Sequence, residues 1–195
     1  MTLFLLLLFS YLIGAIPTGV VLTRLFGGAD VRNAGSGNIG ATNVYRVAGR
    51  TLGILTLVGD CLKGVIPVLL ATSAFELSVA HVGLVALAAF LGHCYPIYLG
   101  FKGGKGVATA LGIFLVLSPL SILCVLGVFV VVLYIWRFMS LASITAAATV
   151  PFFILLFERS STLFAATLII SGIVIWRHRE NIGRLRSGTE NRFNL

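Results

Sequence analysis

The stretch VATALGIFLVLSPLSILCVLGVFVVVLYIW, residues 107–136, decides how this chain folds. It contains no charged side chain, and the Ser118-Pro119 pair is its clearest break. A membrane-spanning helix needs about 20 mostly apolar residues. We therefore predict two spans here, a short one that ends at Leu117 and a second that begins at Leu120, with a reversal of direction at Pro119.

The rest of the chain has the same apolar character. Its 195 residues are 58% hydrophobic and 10% charged, with a mean hydropathy of +1.07, whereas a soluble domain is about one quarter charged. The first apolar run lacks a basic start and is longer than the core of a signal peptide, so we expect it to be retained. We predict an all-α membrane protein, one integral membrane domain over residues 1–195, with seven spans at residues 2–23, 52–72, 79–99, 104–117, 120–136, 139–157 and 162–176.

The basic residues predict how these spans are oriented. Lys and Arg are enriched in cytoplasmic loops, and seven spans place the N-terminus outside and the C-terminus in the cytoplasm. Joining the fourth and fifth spans would put Arg137 and the basic tail on the wrong side. The predicted cytoplasmic segments hold twelve of the fourteen basic residues: Arg24, Arg32, Arg46, Arg50, Lys102, Lys105, Arg137, Arg177, Arg179, Arg184, Arg186 and Arg192.

The first cytoplasmic segment contains the polar motif GSGNIGATN, residues 35–43, followed by Arg46. Three glycines allow a backbone to turn its N–H groups towards one anion. A plain polar loop rich in turn residues is the alternative. The density of donors beside Arg46 favours a phosphate-binding loop, whose candidate residues are Gly35, Ser36, Gly37, Asn38, Thr42, Asn43 and Arg46.

A second motif, FKGGKG at residues 101–106, leads into the fourth span at Val107. It lacks the spacing of a nucleotide-binding P-loop. A lysine among glycines at a helix N-terminus is nevertheless a good anion site, because free N–H groups and the helix dipole favour negative charge. A basic turn at the membrane edge explains the motif equally well when it is taken alone. Its candidate residues are Gly103, Gly104 and Lys105.

A third motif, RHRENIGR at residues 177–184, follows the last span. Arg-rich tails are an ordinary orientation signal. His178 and Asn181 are three residues apart, so they share one face if the helix continues. We predict that this face looks back towards the mouth of the bundle.

Polar residues inside spans form a separate group. Asp60 and Lys63 lie three apart in the second span, where charges are costly and mark either function or pairing. We predict a neutralising ion pair for Asp60 and leave open whether Lys63 reaches substrate. His93 is expected to be a buried, hydrogen-bonded histidine rather than a catalytic one.

Several chemistries are not supported by the sequence. No His/Cys/carboxylate cluster has metal-ligand spacing, no G-x-S-x-G motif is present, and no histidine has an aspartate five positions later. The three cysteines fall in apolar runs and are expected to act as small hydrophobic residues. The net charge of +8 lies in short segments between apolar runs, which suits anionic lipid or a phosphorylated substrate better than nucleic acid.

The three motifs, together with Gly92-His93 and Pro96, resemble the bacterial acyl-phosphate:glycerol-3-phosphate acyltransferases over essentially the whole chain. The resemblance implies transfer of a fatty acyl group from acyl phosphate to the 1-hydroxyl of sn-glycerol 3-phosphate, giving lysophosphatidate and inorganic phosphate. It implies no metal and no organic cofactor. It also implies a multi-pass protein of the bacterial cytoplasmic membrane, in contact with lipid and with its active site facing the cytoplasm. The oligomeric state stays open, and a monomer is compatible with this scheme.

With that resemblance, each candidate residue receives a role. Ser36, Arg46 and Lys105, which we call the phosphate clamp, would hold phosphate together with loop N–H groups, because guanidinium and ammonium groups suit that ligand. Asn38, His178 and Asn181 would contact the glycerol hydroxyls or the reacting carbonyl. Ser36, Lys105 and His178 are the predicted catalytic residues.

The sequence leaves the general base open. Glu180, His178 and a phosphate of the substrate are the three candidates, and the motifs favour the phosphate because they are rich in donors and poor in bases. Two rival functions are also open. A small transporter for a phosphorylated metabolite would suit the intramembrane charges, although no internal repeat is visible. A scaffold that binds anionic lipid would leave the Ser, Asn and Thr donors unexplained.

Overall fold

The computed structural model describes residues 2–26, 28 and 30–193, and the regular structure within those residues is entirely helical. A π turn, Leu70–Ala74, extends α4, and a 3-10 turn, Ile97–Leu99, follows α5. The ten α-helices are α1 Thr2–Ala15, α2 Thr18–Leu25, α3 Ala41–Ala48, α4 Arg50–Leu69, α5 Val79–Cys94, α6 Val107–Leu117, α7 Pro119–Trp136, α8 Met139–Glu158, α9 Ser161–Arg177 and α10 Arg179–Arg186.

The chain divides into two compact units, Met1–Val116 and Leu117–Leu195. The first unit contains α1 to α5 and nearly all of α6, and the second contains α7 to α10. Both polar loops predicted to bind phosphate therefore lie in the first unit. The prediction of one integral membrane domain stays a prediction.

Within the described residues, four helical segments are long and apolar enough to cross a membrane, or up to six if each of two bent helix pairs forms one span. The four are Arg50–Ala74, Val79–Leu99, Pro119–Trp136 and Met139–Glu158. The bent pairs are α1 with α2, at 48°, and α9 with α10, at 54°. The all-helical, membrane-type fold is confirmed, whereas the count of seven spans stays a prediction because α6 has only 11 residues.

The predicted first span, residues 2–23, is broken rather than continuous. Helix α1 ends at Ala15, and α2 begins at Thr18 after Pro17. Proline has no N–H group and its ring clashes with the preceding turn of a helix. The bend therefore follows from Pro17, and α2 then leads the chain into the first polar loop.

The predicted break at Ser118-Pro119 is confirmed. Helix α6 ends at Leu117 and α7 begins at Pro119, a favourable first position for proline. Within the second unit, the Ser118 hydroxyl donates a 2.6 Å hydrogen bond to Glu158 at the end of α8. The start of α7 is thus tied to the end of α8.

Glycines set the close packing of helices in the first unit. A side chain at Gly64 would collide with the backbone of Thr109 and Ile113, and one at Gly112 would collide with Cys61. The Thr109 hydroxyl also donates a 2.9 Å hydrogen bond to the Asp60 carbonyl. Small residues allow helix backbones to approach this closely in membranes.

These contacts show where α6 lies along α4. Asp60 meets Thr109, and Gly64, four residues further along α4, meets Ile113 four residues further along α6. The two helices therefore run in the same direction. Because Val107 lies two residues before Thr109 and a helix rises 1.5 Å per residue, α6 begins about 12 Å along α4 from Arg50. The FKGGKG loop therefore ends at that distance along α4.

Candidate active site

The first polar loop is organised around Asn43. This side chain, only 2% exposed, lies in the first turn of α3. Its Nδ2 group donates to the carbonyls of Val31, Ala34 and Asn38 at 2.9–3.1 Å. Its Oδ1 atom accepts from the Ser36 N–H group at 2.8 Å. One buried amide thus holds four points of the loop together.

The loop uses several of its own N–H groups internally. Besides Ser36, Gly37 donates to Ala34 at 3.1 Å, and Gly40 donates to the Asn38 side chain at 2.9 Å. The N–H groups of Ser36, Gly37 and Gly40 are thus paired within the loop, and the expectation that loop N–H groups turn towards one anion stays a prediction. Gly35, at φ +61°, packs directly on the Asn43 side chain, so this glycine serves the shape of the loop.

The side chains of this segment present a different set of donors. Ser36 and Arg46 are exposed, and Asn38 and Thr42 are half-buried. Arg32 is bound to Asp30 through three contacts of 2.6–3.1 Å, and these hydrogen bonds hold the pKa of Asp30 well below its usual range. Arg46, in the last turn of α3, is the loop's other cation.

The second polar loop crosses the end of α5 and enters α6. Gly104 donates its N–H group to the His93 carbonyl at 3.1 Å, and a side chain on Gly104 would collide with the His93 imidazole. Helix α6 begins at Val107, as the sequence predicted. Half-buried Lys105 lies two residues before that helix, beside the first N–H groups of its N-terminus.

The turn that precedes the second polar loop packs against the hydrophobic core of the first loop, within the first unit. Val20, Val31, Ile39 and Val44 form this core, and Leu99 of the 3-10 turn packs against it. Leu99 lies six residues before Lys105, and Val44 lies in the same helix as Arg46. The segments that lead to Arg46 and Lys105 are thus in contact through Leu99, and the meeting of the three clamp residues stays a prediction.

Beneath the second loop lies a buried polar cluster. Lys63 contacts Asp60 at 2.6 Å, so the predicted ion pair is confirmed. His93 Nδ1 lies 3.8 Å from the same Asp60 oxygen. All three side chains are at most 5% exposed. The prediction that Lys63 binds substrate stays a prediction, and its ammonium group is bound to Asp60 here.

In the second unit, His178 lies in the turn between α9 and α10, and Asn181 lies in α10. Helix α9 ends at Arg177 and α10 begins at Arg179, so the two residues do not share one continuing helix. His178 Nδ1 lies 2.8 Å from the Val174 carbonyl. Because a carbonyl oxygen only accepts, Nδ1 carries the proton of this hydrogen bond.

Sequence reasoning did not identify Glu190. This carboxylate accepts hydrogen bonds of 2.6–2.7 Å from Ser140, Asn181 and Arg184. Partial burial alone would raise its pKa, but these three hydrogen bonds outweigh that effect and lower the pKa from 4.5. A carboxylate two residues after Gly188, in a tail of arginines, was the available signal.

The residues that the structure describes contain no group of three or more His, Cys, Asp or Glu side chains that could hold a metal ion. The two units offer hydroxyl, amide, guanidinium, ammonium and imidazole groups instead. Such groups bind anions and move protons.

Comparisons with known proteins place these residues in a family context. The family described as glycerol-3-phosphate acyltransferase matches residues 4–188. A glycerol-3-phosphate acyltransferase of Syntrophotalea carbinolica is 63% identical over 190 residues, 97% of each chain.

Two solved structures of PlsY (YgiH), an integral membrane glycerol 3-phosphate acyltransferase, have the same fold. The glycerol 3-phosphate form matches with a TM-score of 0.95 and 42% identity, over 100% of this chain and 96% of the other. The lysophosphatidic acid form matches with a TM-score of 0.93 and 41% identity over the same shares.

Replacement of Asn43 by Asp tests the organisation of the first loop. The variant keeps an acceptor for Ser36 but directs a buried carboxylate at three carbonyl oxygens, which is strongly unfavourable. We expect acyltransferase activity to fall about 100-fold or more, since small misplacements of binding groups have effects of that size. The exposed Asn33→Asp variant is the control and should retain full activity. An Asn43→Asp enzyme with more than half of the wild-type rate would contradict this account.

Replacement of Glu190 by Gln tests the tail. Because its folded pKa is lowered, the carboxylate contributes full stability above pH 4.5 and loses it as the pH falls through the folded value. Glu190→Gln should therefore lower the unfolding temperature in detergent at pH 7, and the difference from wild type should shrink near pH 4. The exposed Glu180→Gln variant should show no such difference. A pH-independent difference would argue against this role for the charge.

Proposed function

The chain belongs to the glycerol-3-phosphate acyltransferase family, and we propose that its acyl donor is a fatty acyl phosphate. It is a multi-pass membrane acyltransferase that acylates glycerol 3-phosphate in phospholipid synthesis. The proposed products are lysophosphatidic acid, acylated at the 1-hydroxyl, and inorganic phosphate. No metal or organic cofactor takes part in this scheme.

The reaction balances without a covalent enzyme intermediate. The 1-hydroxyl oxygen of glycerol 3-phosphate attacks the acyl carbon and forms the new ester bond. The bond between that carbon and the phosphate oxygen breaks, and phosphate leaves with its electron pair. The proton of the hydroxyl is transferred to a phosphate oxygen. Because an acyl phosphate is already activated, binding and charge stabilisation supply most of what the enzyme must provide.

The observation that carries this proposal is the packing of the turn before the second polar loop on the core of the first loop. Leu99 packs against that core, so the segments that lead to Arg46 and Lys105 are in contact. Both substrates carry phosphate, and each needs cationic partners. Arg46 offers a planar fork and Lys105 a compact charge beside a helix N-terminus, which suits two phosphates held near each other.

We assign the general base to the substrate phosphate. His178 is the alternative, because an imidazole can exchange a proton. Glu180 is exposed at the start of α10, where arginines surround it in sequence. His178 and Asn181 are proposed to contact the glycerol hydroxyls or the reacting carbonyl.

We further propose seven spans in a bacterial inner membrane, with the N-terminus outside and the active site facing the cytoplasm. The parallel course of α4 and α6 supports this arrangement, since both are preceded by basic segments. A single chain supplies every residue of the clamp, so the scheme requires no oligomer.

Purified protein in detergent tests the proposed reaction. With palmitoyl phosphate and glycerol 3-phosphate, and no added cofactor, phosphate and lysophosphatidic acid should form in equal amounts. Glycerol in place of glycerol 3-phosphate should give no product, because it lacks the phosphate that the clamp binds. Turnover with palmitoyl-CoA but not with palmitoyl phosphate would show that the proposed acyl donor is wrong.

The same assay tests the clamp. Arg46→Lys and Lys105→Arg should each lose about 10-fold or more in activity, since the two cations are not interchangeable at phosphate sites. Exposed Lys102→Arg is the matched control and should stay within about twofold. If His178→Ala abolished turnover while both substrates still bound, the histidine rather than the phosphate would be the base.

The proposed topology predicts which surfaces can be labelled. Single cysteines at Arg137 and Arg186, in a cysteine-free background, should both be protected from impermeant thiol reagents in intact cells and react after lysis. A cysteine at Glu76 should react in intact cells. Labelling of Arg137→Cys and Arg186→Cys from opposite sides would exclude seven spans.

A further inference from the structure

The reaction scheme described above assigns no step to the buried cluster of Asp60, Lys63 and His93. This cluster nevertheless contacts the second loop directly. Its ion pair is 2.6 Å long and nearly inaccessible to solvent. Burying two charges costs free energy that their attraction offsets only in good geometry. Ionisable side chains inside membrane helices are therefore retained chiefly where they serve function.

The cluster contacts the loop at two points on either side of Lys105. On one side, Gly104 donates to the His93 carbonyl and packs on its imidazole without room for a methyl group. On the other, Thr109 donates its hydroxyl proton to the Asp60 carbonyl. The six residues from Gly104 to Thr109 are thus fixed at both ends to the residues that form the cluster.

The charged groups of the cluster face one another. Lys63 is bound to Asp60, so its charge is compensated within the cluster. His93 lies within 3.8 Å of the same carboxylate, which therefore faces both partners. Asp60 therefore lies beside the imidazole whose Nε2 edge packs against Gly104.

We propose that Asp60 and His93, with Lys63 as counter-charge, are positioning residues that set where Lys105 and the first N–H groups of α6 meet a substrate phosphate. This inference rests on the proposed function, because it assumes that the second loop binds phosphate. The cluster acts through the shape of the Gly103-Gly104 turn and does not touch the reacting atoms. Its loss should therefore weaken the binding of one phosphorylated substrate rather than slow the chemical step.

Steady-state kinetics of His93→Gln and Gly104→Ala form the first test. Each variant should raise KM for one of the two phosphorylated substrates about 10-fold or more, because it displaces the loop at a binding group. The other KM and kcat should stay within about threefold, as expected when only binding is lost. His81→Gln, exposed on the same helix as His93, and Gly127→Ala, where a methyl group meets nothing within 4 Å, are matched controls.

The double variant His93→Gln/Gly104→Ala tests whether both changes act through one contact. Its rise in KM should be close to that of the worse single variant, since coupled residues are not additive. A rise equal to the product of the two single effects would overturn the shared contact.

The ion pair needs a variant that does not leave a buried charge unpaired. Asp60→Asn/Lys63→Gln removes both charges and retains groups that can hydrogen-bond. The same selective rise in KM is expected, with the unfolding temperature close to wild type. Wild-type KM values in this variant would overturn the proposal. Losses of kcat that follow the unfolding temperature in all variants would also overturn it, because they would show that the cluster only stabilises the fold.

A binding measurement separates this inference from the proposed function. Glycerol 3-phosphate and palmitoyl phosphate should each raise the unfolding temperature of the wild-type protein, by an amount that grows with the ligand concentration relative to its Kd. In the His93→Gln protein one of these two shifts should be lost and the other kept. Wild-type protein without turnover would contradict the proposed reaction, while the selective loss of one shift would still support the cluster. Retention of both shifts in His93→Gln would refute it.

Discussion

Irregular backbone inside a membrane must be satisfied by the protein itself, because lipid offers no hydrogen bonds. The FKGGKG loop, which leads into a proposed span, meets this constraint through the His93 carbonyl, which accepts from the Gly104 N–H group. Glycines at 103 and 104 follow from the same close packing, since any side chain there would collide with α5. Helix α6 begins only after this loop, at Val107.

The two polar loops are held in shape by different hydrogen bonds. Asn43 collects carbonyls of the first loop on one buried amide, and this leaves Ser36 and Arg46 directed outwards. The second loop instead rests on backbone and imidazole, which leaves Lys105 beside a helix N-terminus. In both cases the glycines and amides determine the shape of the loop.

The sequence predicted features that depend on local chemistry. The break at Pro119, the start of α6 at Val107 and the pairing of Asp60 with Lys63 follow from proline geometry, glycine spacing and helical periodicity. The direction of the loop N–H groups, the bend at His178 and the role of Glu190 depend on partners distant in sequence. No proline or glycine marks the bend at His178. Asn43 was expected to face substrate because the type of a donor, unlike its direction, is visible in sequence.

The pairing of Lys63 with Asp60 affects the proposed transfer of the hydroxyl proton to the substrate phosphate. A phosphate monoester carries a charge of about −1.5 to −2 near neutral pH, so two such substrates exceed the two cations of the clamp. The departing phosphate therefore keeps negative charge and remains basic enough to accept the proton of the attacking hydroxyl. A third cation free to reach the phosphates would lower that basicity. Asp60 holds Lys63 at 2.6 Å in this structure, and a Lys63 that stayed in this pair would preserve the excess of negative charge on which the proposed substrate-assisted transfer depends.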